Sequence, residues 1–445
     1  MVLNGGKVEM NENKKKVLCN FKGVSDESKK YFLDALDCEE LYVYSEDGQE
    51  NCDSDMICTF SCLDNYIRCL SGQKSLYIPK PATKGIRIET LLDDQDCIWC
   101  TGYGMYANSL IKIDKVTMKV EILPMPYETI KKERLFVDIL RVENTIYLVP
   151  ENSKFIGIFN IVDGIWKKID IADETTDGWY YSAAVAVDGD VYFLPNKAQN
   201  VIKINCGNNE KEIISINLSK EIISYNNRYE FCGIKSALVV DKEIYFYSRI
   251  YNCFMKFDTE KKSIDLARRL EDIDFSYACV ADGNIFWMFT MSGDNKIIKY
   301  DVKKDELIYF NKIPKIEYNR APFYKGIKSG NKIIFAPGLA EKAIVFDIDT
   351  SEMNILEKLK NESYEKNKEN WIYSCIDGDE ENIYLFETKI NKLIKYNIEK
   401  NTVEKKELHV LEKEWYEGQA KKVMQMVLQD IEPPVILGGD IIEEY

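Results

Sequence analysis

Apolar β-runs recur along most of this chain, with polar turns between them. Each copy has one run that follows a turn, then a gap, then a second run that ends in Asp or Asn, as in Asn144–Pro150 with Ile156–Asn160. The spacing of equivalent residues ranges from 41 (Ile244 to Ile285) to 53 (Val191 to Ile244). This period is typical of one β-propeller blade. The seven equivalent residues are Ile98, Ile146, Val191, Ile244, Ile285, Ile333 and Ile383.

Two further strands complete each copy. In one copy a strand of small residues, Tyr181–Val187, precedes the first run and ends at Asp188-Gly189, which is the preferred chemistry of a two-residue hairpin. In another copy the third strand is followed by a fourth, Glu306–Phe310. Four antiparallel strands per repeat predict a mainly β protein, a seven-bladed β-propeller over residues 82–410, with six blades as the alternative count. The same hairpin turn is predicted at Asp282-Gly283, Ser329-Gly330 and Asp377-Gly378.

The repeat resembles the Kelch type of propeller repeat. The matching features are an Ile-Tyr strand, a third strand that ends in an aromatic residue followed by Asp or Asn, and the turn after it, most clearly Phe159-Asn160 through Gly164-Ile165-Trp166. The resemblance covers about three-quarters of the chain and implies a Kelch-like propeller. Pro150, Pro195 or Pro337 stands where Kelch repeats usually carry a Gly-Gly doublet, so no residue role is transferred.

The two ends of the chain lack this period. Residues 1–81 follow the order β-α-β-β-α-β, with strands at Val17–Phe21 and Leu41–Ser45 among others, and predict a small α/β domain. This part has no glycine-rich phosphate loop, so nucleotide binding gains no support. Residues 411–445 predict an amphipathic helix and an acidic tail. The helix either packs on this chain or docks a partner.

Charge and composition narrow the classes of function. The 445 residues carry a formal net charge of −15, so the surface repels nucleic-acid phosphates on average and no nucleic-acid partner is expected. We find neither the apolar core of a signal peptide nor a run of about 18 apolar residues, which predicts a cytoplasmic protein without a membrane span. The 13 cysteines are then expected to be reduced thiols.

Catalytic and metal-binding patterns are weak in this sequence. The single histidine, His409, falls on the last predicted strand of the final blade, which is a poor position for an active site. Four cysteines within residues 52–69 lack a standard metal-ligand spacing. Cys97 and Cys100 should point to opposite faces of one strand. We therefore predict no catalytic residue, no metal and no cofactor.

Aromatic residues cluster where the first strand of each blade begins. In a propeller the loops at this position surround the mouth of the central channel, so their flat faces suit a sugar or a peptide. The alternative is that the aromatic residues fill gaps between wedge-shaped blades. Two arginines in the same loops suit a carboxylate or a phosphate. The predicted ligand-binding residues are Trp179, Tyr180, Arg228, Tyr229, Tyr277, Arg320, Tyr324 and Trp371.

This pattern favours a non-catalytic binding protein whose aromatic-rich channel-mouth face recognises a protein segment or a glycan. The alternative is a carbohydrate- or peptide-processing enzyme that uses channel-mouth carboxylates, for which acids such as Asp177 and Glu230 are available. An enzyme requires a deep pocket with two convergent carboxylates, at least one of them with a strongly shifted pKa. A binding protein requires a broader aromatic face without such a pair.

Overall fold

The computed structural model describes most of the repeat region and little of the two ends. The predicted N-terminal α/β domain and C-terminal helix lie outside the described residues, except for two short strands that pair antiparallel, β1 (Gly6–Val8) and β2 (Leu41–Val43). Strand β2 falls within the strand predicted at Leu41–Ser45, whereas β1 was not predicted. The described residues are 6–8, 41–43, 86, 88–103, 106–126, 134–171, 178–216, 236–249, 251–270, 278–290, 296–317, 322–360, 373–387 and 392–408.

Seven four-stranded antiparallel sheets form a seven-bladed β-propeller, which confirms the predicted fold and blade count. In every blade each strand pairs with the next one along the chain. Blades 1 to 3 contain β3 (Ile88–Asp94), β4 (Cys97–Gly102), β5 (Ser109–Asp114), β6 (Val120–Pro124), β7 (Phe136–Val142), β8 (Thr145–Pro150), β9 (Phe155–Asn160), β10 (Trp166–Asp170), β11 (Tyr181–Val187), β12 (Asp190–Pro195), β13 (Asn200–Asn205) and β14 (Lys211–Ser215). Blades 4 to 7 contain β15 (Ala237–Val240), β16 (Glu243–Ser248), β17 (Cys253–Asp258), β18 (Ser263–Arg269), β19 (Ala278–Asp282), β20 (Ile285–Phe289), β21 (Ile297–Asp301), β22 (Glu306–Phe310), β23 (Phe323–Ser329), β24 (Lys332–Pro337), β25 (Lys342–Asp347), β26 (Met353–Lys360), β27 (Tyr373–Gly378), β28 (Asn382–Glu387), β29 (Lys392–Asn397) and β30 (Thr402–Glu407).

The two ends of the blades carry different kinds of link. We call the turn face the end with the turns between the first and second strands and between the third and fourth strands, such as residues 188–189 and 161–165. We call the connection face the opposite end, which carries the links between second and third strands and those from one blade to the next. The blade-to-blade links are longer, as between β14 and β15, which residues 216–236 separate.

One Asp or Asn organises the turn between the third and fourth strands in every blade. The side-chain oxygen of Asn160 accepts hydrogen bonds from the N–H groups of Val162 and Asp163 at 2.9 and 3.3 Å. This side-chain turn explains why each third strand ends in Asp or Asn. The seven residues are Asp114, Asn160, Asn205, Asp258, Asp301, Asp347 and Asn397. The residues four places later all have positive φ, and they are Met118, Gly164, Asn209, Lys262, Asp305, Ser351 and Asn401.

The hairpin predicted between first and second strands forms at Asp188-Gly189, where the two residues have φ angles of 49° and 83°. The same prediction at Asp377-Gly378 is wrong. Gly378 is still part of β27, and the turn begins at Asp379, whose carboxylate accepts a hydrogen bond from the N–H of Asn382 at 2.7 Å. Glycine is needed at position 378 because a Cβ atom there would overlap the backbone of Asn382.

Within the described part of the chain, buried apolar side chains form seven clusters, one at each interface between neighbouring blades. Because side chains alternate along a strand, each blade contributes to the cluster on either side of it. Cys97 lies in the cluster between blades 1 and 2, and Cys100 lies in the one between blades 1 and 7. The prediction that these two thiols point to opposite faces is therefore confirmed.

The ring closes where blade 7 meets blade 1, and the two blades share no strand. The N–H of Ile86 donates to the carbonyl of Leu408 at 3.4 Å, and the N–H of Asp93 donates to Oδ2 of Asp377 at 2.6 Å. An apolar cluster that includes Phe386 fills this interface. In the part of the chain that the structure describes, non-covalent contacts therefore hold the first and last blades together.

Candidate functional site

The first strand of five blades is irregular at the connection face. In blade 3 Tyr181 pairs with Pro195 and Ala183 pairs with Leu194, so Ser182 is the extra residue of a β-bulge. Bulges bend a strand and change the direction of a side chain, and they are common beside functional sites. The five bulge residues are Glu89, Val137, Ser182, Tyr324 and Ser374.

Three prolines stand at these bulges. Pro150, Pro195 and Pro337 each pair with the residue that precedes a bulge. Proline has no N–H to donate to the ladder, so regular pairing is interrupted at that point. The structural effect of these prolines is to help end regular pairing at the connection face.

Trp179 is displayed at this face just before the first strand of blade 3. Its side chain is 42% exposed and its φ is +61°, directly after Gly178 with a φ of +88°. A bulky residue in the left-handed region costs about 1–3 kcal/mol, so the surrounding contacts must hold it there. The Lys197 N–H donates to the Trp179 carbonyl at 2.9 Å, and the Tyr180 N–H donates to the Glu151 carbonyl at 2.8 Å. Neighbouring loops thus fix the backbone on both sides of the indole.

An arginine held by two carboxylates lies against this indole. The guanidinium carbon of Arg134 lies over the Trp179 ring, 5.4 Å from its centroid. Nη1 of Arg134 donates to Glu89 at 2.7 Å, and Nη2 donates to Glu151 at 2.6 Å, with Nε paired to the second oxygen of Glu151. Glu89 belongs to blade 1, Glu151 to blade 2, and Trp179 leads into blade 3. We call these four residues the Trp179 cluster, and it carries a formal charge of −1.

Buried polar atoms without a partner lie in the same layer of the fold. Four oxygens at this end of the strands make no hydrogen bond with any part of the described chain: Thr101 Oγ1, Ser182 Oγ, Asn196 Oδ1 and Ser248 Oγ. The backbone N–H of Asn196 donates to the Tyr180 carbonyl at 2.8 Å, which places it beside the Trp179 cluster. Unsatisfied buried polar groups are rare in proteins and are often associated with function.

The structure describes three of the eight predicted ligand-binding residues and places them in different surroundings. Trp179 is exposed at the connection face, as described above. Tyr180 is only 5% exposed and packs in the core between blades 2 and 3, which fits the packing alternative. Tyr324 is the bulge residue of blade 6. The others lie outside the described residues, and they are Arg228, Tyr229, Tyr277, Arg320 and Trp371.

Sequence reasoning missed the three charged members of the Trp179 cluster. Arg134 is 45 residues from Glu89 and 17 from Glu151 along the chain. A signal was present in Pro150-Glu151, since an acid directly after a buried strand that ends in proline falls at the connection face. Glu151 binds Arg134, which in turn binds Glu89, and the three residues come from separate segments of the chain. No local sequence pattern therefore indicated that they would meet.

Among the described carboxyl groups at the turn face, Asp377 has a strongly perturbed titration. Asp377 is partly buried at the interface of blades 7 and 1, and the loss of solvent raises its pKa to about 6, although the N–H groups of Asp93 and Gly378 oppose the rise. The neighbouring Asp93 pairs with Lys115 at 2.7 Å, and burial also raises the pKa of Asp93. This pair of acids lies away from the Trp179 cluster, at the opposite end of the blades.

Other chemistry is limited among the residues that the structure covers. Cys97, Cys100, Cys206, Cys253, Cys279 and Cys375 are free thiols. No group of three His, Cys, Asp or Glu side chains in the described ranges is arranged to hold a metal ion. The described segments also contain no helix that is long and apolar enough to cross a bilayer.

Comparisons with known proteins support the fold. No protein-family model matches this chain. No curated protein matches it either. A solved structure of a streptogramin B lyase aligns with a TM-score of 0.52 at 12% identity, over 74% of this chain and 96% of that one. A computationally designed protein, Ika8, aligns with a TM-score of 0.48 at 9% identity, over 74% and 89% of the two chains. At 12% identity the likeness to the lyase shows a propeller fold alone, and the Kelch resemblance stays a prediction.

Proposed function

We propose that this protein is a non-catalytic binding protein and that its connection face recognises a glycan or a protein segment. The observation that carries the proposal is Trp179, a large aromatic side chain held exposed by a backbone conformation that costs free energy. Strain of this kind persists only where surrounding contacts impose it, and it concentrates at ligand-binding sites. Large aromatic side chains are also the residues that most often dominate binding energy.

The enzyme alternative has less support. The streptogramin B lyase is an enzyme by name, so a propeller fold is compatible with catalysis as well as binding. Glu89 and Glu151 do converge, but both converge on Arg134, which holds each of them in an ion pair. A general acid must reach the substrate atom that it protonates, whereas both of these carboxylates are bound to the same guanidinium. The arrangement therefore favours orientation of a ligand over proton transfer.

We also propose that the protein is cytoplasmic, on the sequence features that led to this prediction.

The first prediction tests the exposed indole by comparing two variants in a capture experiment. Trp179→Ala should reduce capture of bound proteins or glycans from a native extract by about tenfold or more, because it removes the aromatic contact surface. Tyr309→Ala is the matched control, since Tyr309 is 43% exposed on the outer strand of blade 5. It should capture the same molecules as the unchanged protein. Equal capture by Trp179→Ala, with an intact fold by circular dichroism, would contradict the proposal.

A further inference from the structure

The charges of the Trp179 cluster restrict the kind of ligand that it can accept. The Arg134 guanidinium already lies over the indole ring, so a cationic ligand stacked on that ring would lie close to a like charge. An anionic ligand at Arg134 would have to compete with Glu89 and Glu151, which already bind it at 2.7 and 2.6 Å. A neutral ligand avoids both the repulsion by Arg134 and the competition with the two carboxylates.

The polar groups around the indole favour a ligand with several hydroxyl groups. The described residues give Glu89 a single hydrogen-bond donor, Arg134, which binds Oε1 and leaves Oε2 free to accept a bond. Ser182 Oγ and Asn196 Oδ1 also lack partners, and both side chains are more than nine-tenths buried. Hydroxyl groups both donate and accept hydrogen bonds, and they or a water bridge can satisfy such atoms.

The exposed indole of Trp179 offers a flat surface to a ligand. The face of an indole carries partial negative charge, which attracts the polarised C–H groups of a flat apolar surface. A pyranose ring has such a face, surrounded by hydroxyl groups at its rim. A peptide segment would offer an apolar face or several hydroxyl groups, but rarely both within one ring.

We infer that the Trp179 cluster is a saccharide subsite in which a neutral pyranose ring stacks on Trp179 and donates a hydroxyl hydrogen bond to Glu89. This inference rests on the proposed function, because it names the ligand class of the same face. Arg134 acts as a positioning residue that holds Glu89 and Glu151 and supports one face of the indole.

The test measures binding of the full chain to an array of neutral oligosaccharides built from glucose, mannose, galactose and N-acetylglucosamine. Lysine- and arginine-rich peptides and polyuronic acids serve as the charged probes. We expect a neutral oligosaccharide to bind, with about tenfold weaker affinity for Trp179→Ala and about threefold weaker affinity for Trp179→Phe, which keeps a flat ring. Glu89→Gln should weaken binding about tenfold, whereas Tyr309→Ala should leave it unchanged. Raising the salt from about 50 to about 500 mM should leave the affinity within about twofold, as expected for a neutral ligand.

Different outcomes separate this inference from the proposed function. Binding of a basic peptide that depends on Trp179 and weakens in salt would overturn the saccharide subsite but support a binding face. The absence of binding to every neutral oligosaccharide, or saccharide binding that Trp179→Ala leaves unchanged, would likewise overturn the subsite. If folded Trp179→Ala also captures the same molecules from an extract as the unchanged protein, both the subsite and the proposed function fail.

Discussion

The turn face and the connection face are opposite ends of the same 28 strands, yet they follow different rules. At the turn face every blade repeats a side-chain turn in which an Asp or Asn accepts backbone N–H bonds, two of them in six blades, as at Asn160, and one in blade 7, at Asn397. At the connection face the ladders end early, with bulges in five blades and prolines beside three of them. Buried oxygens without partners and a strained tryptophan also lie there.

The difference indicates a division of roles between the two ends of the blades. Ion pairs and hydrogen bonds link neighbouring blades at the turn face, for example Lys328 with Asp282 at 2.7 Å and Ser329 Oγ with the Asp379 carbonyl at 2.9 Å. Such regular contacts define the ring and its blade order. The connection face instead carries residues whose conformation costs stability, and under the proposed function a ligand binds to them.

The largest effect is expected from a change at the turn face of the blade 7–blade 1 interface. Gly378→Ala should lower the free energy of unfolding by about 3 kcal/mol, because the new Cβ would overlap the backbone of Asn382. Gly189→Ala is the control, since its Cβ would meet nothing within 4 Å and only the positive φ opposes it, at a cost of about 1 kcal/mol. Denaturant titration measures both. Equal losses would show that the close approach at Gly378 does not limit stability.

The second effect concerns the partly buried Asp377. Its pKa in the folded protein, about 6, lies above the ordinary value of 3.8, so the folded state binds its proton more tightly. Stability should therefore be greatest below pH 4 for this group and fall as the pH rises to 6, by up to about 3 kcal/mol. Asp377→Asn should remove this loss, because its amide oxygen can still accept the Asp93 N–H bond without a charge.

Denaturant titrations of Asp377→Asn at pH 4.5 and 7.5 provide the measurement. The variant should be more stable than the unchanged protein at pH 7.5, and the gain should shrink at pH 4.5. Asp282→Asn, which removes a carboxylate paired with Lys328 at the same end of blade 5, should produce no such gain at pH 7.5. A pH-independent difference for Asp377→Asn would show that Asp377 does not titrate in this range. The charged groups that act on Asp377 include Asp93 on the first strand of blade 1 and Asp138 on the first strand of blade 2.

The smallest effect isolates the strain at the connection face. Trp179→Gly and Trp179→Ala both remove the indole, but only glycine adopts a φ near +61° without a steric cost. The glycine variant should therefore be more stable than the alanine variant by about 1 kcal/mol, while both should lose binding to the same extent. Equal stabilities in denaturant titration would indicate that residue 179 does not keep this backbone conformation in solution.

The sequence by itself determined the repeat, the strand order and much of the turn chemistry. These features depend on residues close together in the chain, such as the Asp or Asn that binds N–H groups two and three places later, or the Asp188-Gly189 pair that adopts positive φ. The seven blades could be predicted because each one repeats the same local pattern. The turn at Asp377-Gly378 was predicted wrongly because glycine there serves a close backbone approach rather than a left-handed turn.

Only the tertiary structure decided which residues form the candidate site. Trp179 and Tyr180 are adjacent and chemically similar, but the strained backbone exposes the first while the core between blades 2 and 3 buries the second. Arg134 meets Glu89, Glu151 and Trp179 because three blades bring them together from distant parts of the chain. A local pattern contains no information about contacts of that range, since they arise only once the blades pack into a ring.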